Sequence, residues 1–182
     1  MSILGAGEEP GHIAEALDKG DEASMEKDKS EPAKLSTAQI GRCGELLVQY
    51  TLLLRGIESA PMMTDTGIDL VAYSSNTGVP HTIQVKCNLK AKPGGGRGKL
   101  ALDWWIPENS PAQLVALVDL SGVRIWLFSH IELMKLAQQR SSGRLHFYMY
   151  TDRSARTKTA SRLAHVHEFE IYRLERRVDS VF

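Results

Sequence analysis

Between Leu35 and Gly56 the residues Ile40, Cys43, Leu47, Tyr50 or Thr51, and Leu54 recur at the 3.6-residue period of a helix. Ser36 or Thr37 stands where an N-cap is needed, and Gln39, three residues after Ser36, completes the spacing of a capping box. Gly56 offers the stop. The pattern predicts a helix over 38–55. Beyond it the period shortens to two. Apolar runs over 57–63, 68–73 and 82–87 read as strands, and Ser74 to Gly78 has the composition of a hairpin loop between the last two. Leu100, Leu102 and Trp104 alternate with Ala101, Asp103 and Trp105, which puts one tryptophan in a core and the other at a surface or interface. Strands are expected over 114–120 and 123–128, joined by a Ser-Gly turn, then a helix over 131–139 and a strand over 145–150. His165 and His167 are expected on one strand face, without a third metal ligand. This order predicts an α/β domain with a mixed sheet.

Composition changes the picture at the N-terminus. Residues 1–34 carry few large apolar side chains, and their nine acids against four lysines give a net charge of −5. Such a segment cannot offset its own ordering cost, so an acidic, disordered tail is expected, with 12–18 as its one short amphipathic run. The 22 Lys+Arg and 22 Asp+Glu of the whole chain cancel; residues 35–182 therefore hold 18 bases against 13 acids, a net of +5. The neutral total conceals a mildly basic α/β domain.

Several function classes drop out. No apolar run approaches the roughly 20 residues of a transmembrane helix, and the first residues lack the basic start and apolar stretch of a secretory signal. Cys43 and Cys87 are too few for a disulfide framework and have no CxxC spacing, so a cytoplasmic protein with reduced thiols is expected. There is no P-loop, dinucleotide fingerprint or nucleophile elbow, and Gly94-Gly95-Gly96 lacks the Lys-Ser/Thr ending of a phosphate loop.

Three segments place polar groups where packing alone favours apolar ones. They are Gly67-Ile68-Asp69-Leu70-Val71, Ile83-Gln84-Val85-Lys86, and the early-helix run Gly41-Arg42-Cys43-Gly44-Glu45. Alternation sends Gln84 and Lys86 to one strand face, and a hairpin brings Asp69 beside them. A carboxylate, an amide oxygen and a lysine suit Mg²⁺, which takes one or two carboxylates and leaves other positions to water and phosphate oxygens. The lysine would orient or deprotonate the attacking water, and Glu45 would complete the site. The structural alternative is a cross-strand Asp69–Lys86 salt bridge.

The ordered pattern Gly44-Glu45, Gly67-Ile68-Asp69 and Ile83-Gln84-Val85-Lys86 resembles the PD-(D/E)XK nuclease superfamily, which includes restriction endonucleases and Holliday-junction resolvases, in its Gln-x-Lys variant. The resemblance covers residues 36–87. It implies a restriction-endonuclease-like core, a mixed β-sheet flanked by helices, and Mg²⁺-dependent (or Mn²⁺-dependent) endonucleolytic hydrolysis of phosphodiester bonds in DNA. It further implies Glu45, Asp69, Gln84 and Lys86 as the catalytic set, with Asp69, Gln84, Glu45 and the Val85 carbonyl as metal ligands. The sequence departs from the family twice: Ile68 stands where proline is usual, and Gln84 replaces the commoner acid.

DNA is the expected partner, with RNA left open. Lys90, Lys92, Arg97 and Lys99 surround the glycine run after the candidate strand, and Arg153, Arg156, Lys158 and Arg162 form a second basic segment. With one candidate site per chain, cutting both strands of a duplex calls for a homodimer, for which Trp104 or Trp105 and Phe147 to Tyr150 offer interface material. The reading from another class is a non-catalytic module, for nucleic-acid binding or protein interaction, that kept the fold.

Overall fold

Ser36 opens the first helix with the reciprocal bonds its spacing calls for. The Gln39 N–H donates to Ser36 Oγ at 3.2 Å, and the Ser36 N–H donates to Gln39 Oε1 at 2.8 Å. In the computed structural model, which describes residues 34–64, 66–96, 98–156 and 162–182, helix α1 spans Thr37–Leu53. Gly56, at φ +73°, turns the chain out of it. Residues 1–33, and with them the expected acidic tail and its run at 12–18, lie outside the described residues, as do Arg97 and Lys158.

The buried face of α1 is rotated from the expected stripe. Gly44, Val48 and Leu52 are buried, whereas Tyr50 and Leu54 stand mostly exposed. Gly44 explains the shift: a Cβ built there would lie 2.8 Å from both Cβ and Sγ of Cys87. The helix settles where its backbone can approach the sheet, and the contact centres on that glycine. Gly44→Ala therefore sets a helix-propensity gain of about 1 kcal/mol against an overpacking cost of about 1–3 kcal/mol. The expected net result is a lower midpoint in urea unfolding.

The remaining elements are β1 (Ile57–Pro61), β2 (Leu70–Ser74), β3 (Pro80–Asn88), β4 (Lys92–Pro93), β5 (Leu100–Pro107), β6 (Leu114–Asp119), β7 (Arg124–Ser129), α2 (His130–Leu136), β8 (Gln139–Ser141), β9 (Arg144–Tyr150), a 3₁₀ stretch Val166–Tyr172 and α3 (Leu174–Val181). The five-stranded sheet has the order β1-β2-β3-β6-β7, and its β3–β6 pair is parallel while its other pairs are antiparallel. This is the expected mixed sheet. A second, four-stranded sheet, β4-β5-β9-β8, takes up the strands expected at 100–105 and 145–150. Among the described residues no helix is long and apolar enough to cross a membrane.

Two cores follow from alternation. Ile83, Val85, Leu114, Ala116 and Val118 meet Val48 and Leu52 of α1 and Leu174 and Val178 of α3. On the opposite face Val115, Leu117, Trp126 and Phe128 meet Leu102, Trp104, Ile106, Leu145, Phe147 and Met149 of the second sheet. Trp104 is buried and Trp105 is 43% exposed, one on each face as alternation requires. Phe147 and Met149 are fully buried inside this chain, which removes them from any subunit interface. The helix expected over 131–139 ends at Leu136, and Gln139 opens β8 instead. His165 and His167 sit at the start of the 3₁₀ stretch rather than on a strand. There the His165 ring nitrogens face Glu168 Oε2 at 3.0 Å and the Ala155 carbonyl at 2.8 Å.

Glu132 ties α2 to α3. Its carboxylate accepts from the Ser129 N–H at 2.8 Å, the Ser129 hydroxyl at 2.9 Å and Arg177 Nη1 at 2.8 Å. Partial burial pushes its pKa up, but the Arg177 and Ser129 hydrogen bonds outweigh burial and hold the acid below its ordinary value. A depressed folded pKa stabilises above the unfolded pKa, and the contribution fades as pH falls through the folded value. Glu132→Gln should thus lower the unfolding free energy near neutral pH by up to about 1 kcal/mol, and the melting temperature with it. That difference should close in melts recorded below about pH 4.

Candidate active site

The hairpin register decides what meets what. Leu70 of β2 faces Ile83 of β3, so Asp69 lies just beyond the end of the paired ladder. Its backbone stays in line, with the Asp69 N–H donating to the Ile83 carbonyl at 2.9 Å. Its side chain then takes over the next ladder position: the Val85 N–H donates to Asp69 Oδ2 at 2.6 Å. Because N–H and C=O of one strand residue point to the same edge, the Val85 carbonyl also faces this edge. Asp69 and Val85, paired by sequence reasoning, are brought together.

Gln84 and Lys86 occupy the face of β3 turned away from α1, since Ile83 and Val85 fill the helix-side core. Gln84 is 3% exposed, and its Oε1 is buried without a hydrogen-bond partner among the described residues. Gly67 closes over it at φ +83°. A Cβ at that position would sit 3.2 Å from Pro111 Cδ and 3.7 Å from Gln84 Nε2. Gly67 and Pro111 thus shape the Gln84 site, a role the sequence signals only through the glycine before Asp69. Lys86 is half-buried, and among the described residues it forms no ion pair with any carboxylate. No Asp69–Lys86 salt bridge is formed.

Glu45 is placed differently. Its carboxylate accepts from Arg42 Nη1 at 2.7 Å along α1, and no hydrogen bond or ion pair joins it to Asp69, Gln84 or Lys86. Beside it, burial first and then Cys43 push the Cys87 thiol up to about 12, so Cys87 is a packing residue under α1.

The two basic segments converge. Lys99 Nζ donates to the Arg156 carbonyl and lies 5.6 Å from the Tyr150 ring centre. Lys90, Lys92, Arg153 and Arg156 are exposed. Arg162 has a structural partner, donating to the Gln138 carbonyl at 2.8 Å. Sequence reasoning missed the rings these cations surround. His146, Tyr148 and Tyr150 alternate along β9 and line a groove of about 440 Å³ with Lys99, Ala101 and Asp103. The signal was legible as the period-two spacing His-x-Tyr-x-Tyr.

Among the described residues no three His, Cys, Asp or Glu side chains gather as a metal-ligating group. The oxygens these strands place at the β2–β3 edge are the Asp69 carboxylate and, by strand geometry, the Val85 carbonyl, with the Gln84 amide at the position that the register sets against Asp69. That set suits a hard cation that draws further ligands from water and phosphate.

No protein-family model matches the sequence, and no curated protein sequence matches it. Solved structures do resemble it. The bacterial homing endonuclease I-Ssp6803I is 14% identical, with a TM-score of 0.50 over 79% of this chain and 91% of its own. Hjc, a Holliday junction resolvase from Archaeoglobus fulgidus, is 15% identical, with a TM-score of 0.40 over 58% of this chain and 81% of its own. On the first of these likenesses the chain, a mixed sheet flanked by helices, shares a fold with the homing endonuclease.

Proposed function

We propose that this protein is a metal-dependent endonuclease that hydrolyses phosphodiester bonds in DNA at the β2–β3 edge. The observation that carries the reading is Gln84: a buried amide oxygen without a partner among the described residues, at the strand position that the register sets against Asp69. Leaving such an acceptor unsatisfied costs about 1–3 kcal/mol, and proteins retain that cost where a ligand relieves it. Asp69, Gln84 and the Val85 carbonyl would hold Mg²⁺ or Mn²⁺, with Glu45 reaching it through water after leaving Arg42. When bound, the cation supplies charge neutralisation at the phosphodiester and acidifies a water. Lys86, without a carboxylate partner among the described residues, would hold and orient the attacking water. The exposed cations Lys90, Lys92, Arg153 and Arg156 would track the phosphate backbone.

Cleavage of both strands would require two copies. The outward face of α1, where Leu46, Tyr50, Leu53 and Leu54 are each at least half exposed, takes the place of the buried Phe147 and Met149 as apolar material for such a dimer. The test incubates the full chain with supercoiled plasmid, branched-junction and single-stranded substrates in Mg²⁺ or Mn²⁺. Metal-dependent nicking or linearisation is expected. Binding without cleavage of any of them would favour the non-catalytic module.

A further inference from the structure

We infer that the outer face of the four-stranded sheet is a second nucleic-acid site that stacks unpaired nucleobases. The inference deepens the proposed function by naming a substrate class, and it rests on nucleic acid being what the protein binds. On this face β9 contributes His146, Tyr148 and Tyr150 as a continuous row, with ring centres 5.4 Å and 5.3 Å apart. Trp105, directly across from His146, stacks on it with ring centres 4.2 Å apart and planes 1° from parallel. The residues opposite the tyrosines are small: Asp103 faces Tyr148 and Ala101 faces Tyr150. An aromatic wall beside a low floor makes the 440 Å³ groove, a size within the range of small-ligand sites.

The polar groups fit the same occupant. His146 Nε2 is buried without a hydrogen-bond partner among the described residues, with Asp103 Oδ2 3.5 Å away. The Asp103 side chain is half exposed, so its carboxylate offers base edges an acceptor. Lys99 rides over Tyr150 and is bonded to the carbonyl of exposed Arg156, and exposed Lys92 lies opposite Ala101, which gives cations for the backbone that follows the bases. Against these cations stands Asp152, whose carboxylate is already held by the Ser154 N–H and hydroxyl. Base–aromatic stacking on a basic surface is how single strands are held without strict sequence preference. A paired duplex keeps its base faces stacked and offers this groove only edges.

The face also connects to the candidate active site. Asn88 Nδ2 donates to the Asp103 carbonyl at 2.6 Å, and Asn88 lies two residues beyond Lys86 on the same strand face, roughly 7 Å along β3. Single-stranded segments, as in frayed, flapped or branched DNA, are the substrate class this face would take.

The test reads binding by fluorescence anisotropy of the full chain in EDTA, so that no cleavage intervenes. The probes are a labelled single-stranded oligonucleotide and the same sequence in a blunt duplex. Trp105→Ala and Tyr148→Leu should each weaken single-strand binding about tenfold and leave duplex binding unchanged, while Trp105→Phe, which keeps a ring, should retain most of the affinity. Trp105 lies outside both cores, so its replacement leaves the fold in place. The single strand should also quench the tryptophan fluorescence of the wild-type protein. Wild-type single-strand affinity in both ring-deleted variants, or equal losses for single strand and duplex, would overturn the inference. Absence of cleavage by the wild-type protein in Mg²⁺ would strike the catalytic reading alone, because the anisotropy arm needs no turnover.

Discussion

Replacing Lys86 by alanine should lower metal-dependent DNA cleavage about 10²–10⁴-fold, the range that a positioned proton-transfer or water-orienting group contributes. Unfolding free energy should stay within about 0.5 kcal/mol of wild type. The two halves of this expectation separate function from structure. Lys86 makes no ion pair among the described residues, so its ammonium has no internal contact to lose. A lysine kept for a salt bridge would give the reverse result, with a lower melting temperature and unchanged turnover. Lys86→Arg should not rescue cleavage, because a planar guanidinium neither fits nor gives up a proton like an amine. Asp69→Asn provides the matched control. Its amide oxygen can still accept from the Val85 N–H, so the hairpin persists while the negative charge that would hold the cation is gone. Plasmid cleavage and thermal melts on the same preparations decide the matter.

What the sequence revealed follows from how local each signal is. The Ser36–Gln39 capping box and the 74–78 loop are set by neighbours, and both formed as read. That Asp69 would lie against the Gln84–Lys86 strand was legible because a short hairpin loop fixes which residues face each other; the Val85 N–H as its partner was not. Rotation of α1 onto Gly44 was not, since it depends on Cys87 43 positions away in sequence. The division into two sheets was also hidden. Strands 114–119 and 100–107 are equally apolar on their buried faces, and alternation does not say which neighbour a strand will choose. Helix α3, Leu-Glu-Arg-Arg-Val-Asp-Ser-Val, buries only Leu174 and Val178, too few positions to stand out as a period. Glu45 shows the limit for the site. Its helix position was readable, but its bond to Arg42 is a choice among rotamers that only three-dimensional packing makes.

Gln84 is where stability and function should pull apart most clearly. Gln84→Met keeps a long, unbranched side chain and removes the buried oxygen that has no partner, so the folded state should gain about 1 kcal/mol while cleavage falls to background. Gln138, also buried, spends its amide on the Tyr148 and Leu163 carbonyls and should lose stability on the same replacement. Gln84→Glu should move the other way. Without metal, a carboxylate at a position 3% exposed and beside Asp69 suffers both desolvation and like-charge repulsion, so the variant should melt below wild type. Added Mg²⁺ should then raise its melting temperature far more than that of wild type, whose neutral ligand leaves the free protein a weak metal binder. Differential scanning calorimetry of the three proteins, with and without Mg²⁺, reads all of these shifts. If Gln84→Met melts below wild type, the amide is a satisfied structural group, and no oxygen at the β2–β3 edge is being held in reserve for a cation.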